Sequence, residues 1–275
     1  MRGRRIPGRD GLLGYTPLSI KPTTGSPVEL GELSNLTIAL LLFACVISAF
    51  VSAVTGGAGG ILMFAALNVA IPLRLLVPIH GAVQLINNVA RIYYVREYIR
   101  WDFCIPFFVG CTLGAVLMTL GLARLDWQEL PLVLLAALIF YTVFKPKRLP
   151  EIRLAPGQFG WLGLGTGSFG ILAGAVDPLL APFFVRRDLT PKEVVASKSV
   201  MQAWCHALKV PAFIYLGFAF SDHLGLILVL AVAAVVGTRI GVALLNRLDS
   251  ELFFKLMRAA LLLAGVRLVY QLTVG

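Results

Sequence analysis

Lys198-Ser199-Val200-Met201-Gln202-Ala203-Trp204-Cys205-His206-Ala207-Leu208-Lys209 carries polar side chains at i, i+4, i+8 and i+11, and 118 residues earlier His80, Gln84, Asn88 and Arg91 stand at the same offsets. At about 100° per residue, each set of four stays within roughly an 80° arc of one helix. The surroundings make these stripes unusual. The chain has 275 residues, 58% hydrophobic and 14% charged, with a mean hydropathy of +0.86. Soluble domains hold roughly 45–50% apolar and about 25% charged residues. Uncharged runs at 36–54, 103–122 and 154–176 approach or exceed the roughly 20 residues that cross a hydrocarbon core. The reading is an all-α polytopic membrane protein, in which buried cations are costly and seldom idle.

The net charge of +10 does not point to nucleic acid, because the basic residues are scattered over the tail, short loops and helix ends rather than gathered on a soluble face. Cys45, Cys104, Cys111 and Cys205 have neither metal-ligand nor disulfide-framework spacing. Residues 1–32 are rich in Arg, Gly, Pro and Thr and lack the apolar core of a signal peptide. They read as a flexible basic tail.

Hydrophobic segments fall near 33–55, 60–71, 76–95, 103–122 and 130–144, then near 158–176, 179–185, 193–216, 222–245 and 252–273. The second five echo the first. Segments 60–71 and 179–185 are too short to span alone and each follows a breaker, Thr55-Gly56-Gly57-Ala58-Gly59-Gly60 in one half and 170–178, ending Asp177-Pro178, in the other. Gly110 and Gly114 are matched by Gly237 and Gly241, and Arg124-Leu125-Asp126 by Arg247-Leu248-Asp249. Landmarks that recur in one order indicate duplication. The chain divides into the tail, a repeat over 33–144, a basic linker over 145–157 and a second repeat over 158–275.

If each short segment turns back without crossing, there are eight full spans in two repeats of about four, related in parallel. The tail, loop 91–102 and linker then share a side with five, three and four basic residues, against six on the other. By the bias of Lys and Arg toward the cytoplasm, both termini would be cytoplasmic. If the short segments cross instead, each half has five spans and the repeats are inverted, an arrangement found among transporters. The basic-residue count favours the eight-span arrangement by a small margin.

A broken helix in hydrocarbon frees backbone groups that must face protein, water or substrate. Gly56, Gly57, Gly59 and Gly60 let backbone amides approach a ligand, and a helix starting near Gly60 aims its positive end there. Close helix packing is the plain alternative. Asp177 before Pro178 reads either as an N-cap or as a carboxylate that exchanges a proton or neutralises Lys198 or Lys209 when substrate is absent. Arg91 and Lys209 lie near enough to helix ends to snorkel, whereas Asn88 and His206 sit deeper. With His80, Gln84, Asn87, Lys198, Gln202 and Trp204 they offer mostly donors and positive charge, which suits an oxyanion.

The duplicated order, with Gly56-Gly57-Ala58-Gly59-Gly60-Ile61-Leu62, Leu113-Gly114-Ala115, Gly237-Thr238-Arg239-Ile240-Gly241 and Leu244-Leu245-Asn246-Arg247-Leu248-Asp249, resembles the sulfite exporter TauE/SafE family of membrane permeases over about 36–273. The resemblance implies two four-span repeats and passage of sulfite or an organosulfonate across the bacterial inner membrane. It places the substrate near Gly56–Gly60, His80, Gln84, Asn88, Asp177, Lys198, Gln202 and His206. The chain departs from the pattern in lacking a proline after the first breaker and in carrying Asp177 where glycine is more usual.

The expected function is a secondary transporter of a small anion working by alternating access between two repeats, with protons as a conceivable coupling ion and room for a homo-oligomer. No Walker A motif is present, and no cofactor, metal or catalytic residue is expected. A cation or metal transporter built on His80, His206 and Asp177 is the first alternative, and a membrane-embedded enzyme using the same histidines the second.

Overall fold

A computed structural model of the chain describes residues 34–57, 59–122, 153–173, 176–186 and 188–259. The tail 1–32, the segment near 130–144, the turn at 123–126, most of the linker and the end of the last segment lie outside the described residues. Among the described residues every regular element is helical. Ser34 caps α1 (Asn35–Thr55), its Oγ accepting from the Thr37 amide at 3.1 Å. α1 stops because Gly56 and Gly57 take φ of +74° and +142°, values that a side chain on either residue would oppose. The chain then folds back as α2 (Gly59–Leu67), with Gly59 pressed against the Ser48 carbonyl where no Cβ would fit. α3 (Leu73–Val95) and α4 (Trp101–Leu122) follow.

The second part repeats this order. α5 (Phe159–Ala173) leads into the short α6 (Asp177–Phe184), then α7 (Pro191–Tyr215) and α8 (Leu224–Leu245), with a further helical stretch, α9, over 250–259. α7 starts on a capping box, in which Thr190 Oγ1 accepts from the Glu193 amide and the Glu193 carboxylate accepts from the Thr190 amide.

Close contacts fix the directions of the helices. Val46 meets Gly237 and Phe50 meets Gly241, so α1 and α8 run together, while Phe107 meets Gly163 and Cys111 meets Gly167, so α4 and α5 run together. Cys104 reaches Ser197 and Cys111 reaches Cys205, making α7 parallel to α4. His80 lies beside His206 and Arg91 beside Ser199, so α3 and α7 are antiparallel. α1, α3 and α8 therefore point one way and α4, α5 and α7 the other.

This differs from the eight-span arrangement that the basic-residue count favoured, which needs α1 and α3 to oppose each other. The short helices carry the chain back: Gly59 starts α2 beside Ser48 and Ser52 of α1, and Phe184 at the end of α6 packs on Phe159 at the start of α5, ring centroids 5.9 Å apart. Hydropathy could not decide this, because a nine-residue α2 reads the same whether it dips or returns.

The glycine pairs make the helix seams. Gly110 and Gly114 of α4 lie on the α5 backbone, and Gly237 and Gly241 of α8 lie on α1, with backbone carbonyls standing where a Cβ would be. Such close approach is how helices gain dispersion contact when lipid is as apolar as their side chains. The outer faces are apolar: Leu36, Leu40, Phe43 and Ile47 of α1, Ile105, Val109 and Leu113 of α4, and Leu228, Val232, Val236 and Ile240 of α8 are all exposed. α1, α4 and the helical stretch Phe220–Leu245 are long and apolar enough to cross a membrane. α3 and α7 match them in length, at 23 and 25 residues, but carry the polar stripes.

Candidate substrate site between two helix breaks

The two fold-back tips meet in the middle of the protein. Asp177 is the first residue of α6 and does not cap it; Val176 holds the cap position without any side-chain bond. The carboxylate leaves its own helix. Its Oδ1 lies 3.3 Å from Lys198 Nζ and accepts a hydrogen bond from Gln202 Nε2. Capping, the plain reading of an Asp-Pro start, is thus replaced by a contact between elements.

The glycines of the first break face this carboxylate. A Cβ on Gly57 would run into the Asp177 carboxylate, and one on Gly60 would stand 2.9 Å from Gln84 Nε2 and 3.2 Å from Asp177 Oδ2. Gly57, with its φ of +142°, therefore needs glycine, whereas a Cβ at Gly60 would displace the tips of Gln84 and Asp177. Gly56 instead faces Val194 and Phe253, and Gly59 faces Ser48 and Ser52, so these two build the turn and not the site.

The α3 stripe completes the walls. His80 Nε2 bonds the Gly60 carbonyl at 3.0 Å; since a carbonyl only accepts, Nε2 carries the proton and Nδ1 faces away. Asn88 Nδ2 donates to the Gln84 carbonyl at 2.8 Å. Asn87 turns toward α8, hydrogen-bonded to Thr238 and to Gln84. It supports Gln84 from behind. Gly60, Ile61, His80, Gln84, Asn88, Val176, Asp177, Gln202 and His206 line one narrow cavity, with about 240 Å³ of empty space counted out to its open mouth.

Three buried atoms of these lining residues, His80 Nδ1, His206 Nδ1 and Asn88 Oδ1, have no partner among the described residues. Buried polar atoms are nearly always satisfied, so these call for water or a ligand. Lys198 stands behind Asp177. Arg91 and Lys209 are each only 1% exposed, so neither snorkels to an interface as their places near helix ends had allowed. Arg91 Nη1 reaches Ser199 Oγ at 3.5 Å, and Lys209 packs over Gly81, beside His206. Trp204 is not part of the site: its indole stacks on Phe108 and donates to Thr112 at 3.1 Å on the outer surface.

The sequence grouping therefore divides. Gly57, Gly60, His80, Gln84, Asn88, Asp177, Lys198, Gln202 and His206 come together, while Gly56, Gly59 and Asn87 are supports. Thr238 and Ser199 were not singled out as site neighbours; Thr238 sits inside the Gly237–Gly241 motif, and that placement was the one available signal. Of four buried Lys and Arg side chains among the described residues, Arg91, Lys198 and Lys209 lie in the helical core with the one buried carboxylate, Asp177, and Arg186 pairs with Asp188 in the loop before α7. Among the described residues no three His, Cys, Asp or Glu side chains gather as a metal-holding group.

No curated protein and no solved structure matches the chain. The family model described as Sulfite exporter TauE/SafE matches residues 40–268, most of the length and both polar stripes. With two broken helices meeting at a cationic cavity inside an apolar helical body, the chain belongs to the sulfite exporter TauE/SafE family.

Proposed function

We propose that the protein moves a small sulfur-containing oxyanion, sulfite or an organosulfonate, through the cavity between the two breaks. Family membership makes it a membrane transporter of the sulfur-anion type. The observation that carries the finer reading is the charge balance around the cavity: Lys198, Arg91 and Lys209 against the single buried carboxylate of Asp177, with the Gln202 amide as a further donor. An oxyanion has the acceptors to match protonated nitrogens.

Alternating access follows from two inverted repeats, α1 to α4 and α5 to α8. The support is reciprocal packing. α1 lies on α8 as α5 lies on α4, and the equivalent helices α3 and α7 cross antiparallel. A pseudo-two-fold axis in the membrane plane relates such halves, and a ligand near it can be exposed to either side by rocking one half against the other.

The cavity also defines the test. In a thermal-shift titration of the purified protein, sulfite and methanesulfonate stabilise it, and divalent metals do not. A ligand at about 100 times its Kd adds about 2.7 kcal/mol to the native state. His206→Ala weakens this stabilisation at least tenfold. Stabilisation by metals alone would falsify the oxyanion reading.

A further inference from the structure

We infer that Asp177 is a tethered counter-anion which the substrate displaces, and which takes up one proton as it is displaced, so that each monovalent oxyanion travels with one proton. The inference rests on the oxyanion reading above and deepens it. Asp177 occupies the place an anion would take. It touches Lys198 and Gln202 of α7, and it fills the space left by the side chains that Gly57 and Gly60 lack at the tip where α2 begins. An oxyanion recruited by the same donors must compete with this carboxylate.

Displacement cannot leave Asp177 ionised. Its side chain is 5% exposed, and a buried carboxylate stripped of its partner costs far more than a protonated one. The groups that face it are Lys198 and Gln202 from α7, Gly57 and Gly60 from the first break and, at longer range, Arg91 from α3; His80 and His206 line the same cavity. Carboxylate plus anion plus proton becomes carboxylic acid plus bound anion. Lys198 stays ammonium throughout, and the charge of the site is the same before and after.

Methanesulfonate is the probe, because it stays a monoanion from about pH 6 to about pH 9 while one proton per ligand is tested by linkage. In the purified full-length protein its half-stabilising concentration rises about tenfold per pH unit over the range in which empty Asp177 is ionised. In Asp177→Asn that concentration is lower, because the internal competitor is gone, and it no longer varies with pH. In proteoliposomes holding the wild-type protein, an inward proton gradient drives labelled methanesulfonate above its equilibrium level. A flat pH dependence in the wild type, or no proton-driven accumulation, overturns the inference even if Asp177→Asn does not fold. An unchanged pH slope in Asp177→Asn also overturns it and assigns the proton to His80 or His206. If neither methanesulfonate nor sulfite stabilises the wild type at any pH, the oxyanion reading itself fails, and this inference with it.

Discussion

Asp177 and Lys198 form an ion pair that is 5% and 1% exposed, and its energetics are unlike those of a surface pair. Removing one partner strands a buried charge, at a cost of about 3–5 kcal/mol, whereas removing both together is close to neutral. Lys198→Met therefore lowers the melting temperature sharply, and adding Asp177→Asn to it restores most of the loss while anion-dependent stabilisation stays absent. Equal instability of the single and double variants would mean that the pair does not carry the cost. Gly57→Ala tests the facing tip. It forces a side chain into φ +142°, a strain of about 1–3 kcal/mol, and pushes methyl against the Asp177 carboxylate. Thermal melts of the apo protein register the strain, and a methanesulfonate titration registers the loss of the site. The stripes were legible at this scale because helical spacing is local: His80, Gln84, Asn88, Lys198, Gln202 and His206 share one interior. Lys198 was one of two partners legible for Asp177, but the choice between pairing and capping was not, since a local N-cap and a tertiary ion pair place the same residue in the same sequence.

At the scale of helices, the seams depend on small residues at fixed positions. Gly114 lies against the Leu164 carbonyl and Gly237 against the Val46 carbonyl, whereas nothing among the described residues lies within 4 Å of the Cβ position of Gly121 on the same helix as Gly114. Gly114→Leu and Gly237→Leu are expected to separate α4 from α5 and α1 from α8, costing several kcal/mol as overpacking does at its upper end, while Gly121→Leu is expected to be nearly silent. Equal effects of all three on thermal stability would remove the seams from the account. The loop between α6 and α7 is held differently. Arg186 grips Asp188 through two hydrogen bonds of 2.9 and 2.6 Å and holds its carboxyl down to about 2. A lowered folded value means that this contribution is present above the ordinary carboxylate range and fades as pH falls from about 4 toward about 2. Asp188→Asn is therefore expected to lower the melting temperature at neutral pH and to leave it unchanged near pH 2. The glycine pairs stood out in the sequence as motifs, but which helix each one met did not, because a small-residue stripe fits any close neighbour.

For the whole molecule, the directions of the helices change the reckoning of sides that the sequence alone supported. With α1, α3 and α8 running together, Arg96, Arg100, Arg153, Arg186, Lys192 and Arg247 all lie at one end of the described helices, and Arg74 lies at the other. Counted from sequence, these residues were split between sides, because hydropathy finds spans without telling which way a short one carries the chain. Among these residues near the membrane ends the count is six to one; Arg2, Arg4, Arg5 and Arg9 precede α1 at the end of Arg74 but stand more than 25 residues before it, and the bias follows residues close to the membrane ends. We propose that the six-residue end lies in the cytoplasm and that α1 starts on the outer side, where the parallel arrangement would put its start in the cytoplasm. This has a direct check, because all four native cysteines are buried and contribute little background to thiol labelling. Ser221→Cys, exposed beyond the end of α7, and Glu97→Cys, exposed in the turn before α4, lie at opposite ends. In intact cells a membrane-impermeant maleimide reacts with Ser221→Cys, and with Glu97→Cys only after permeabilisation. The opposite pattern would invert the assignment while leaving the inverted pairing of the halves intact. Labelling of both from outside would break the pairing too, since α3 and α8 could not then cross the bilayer in the same direction.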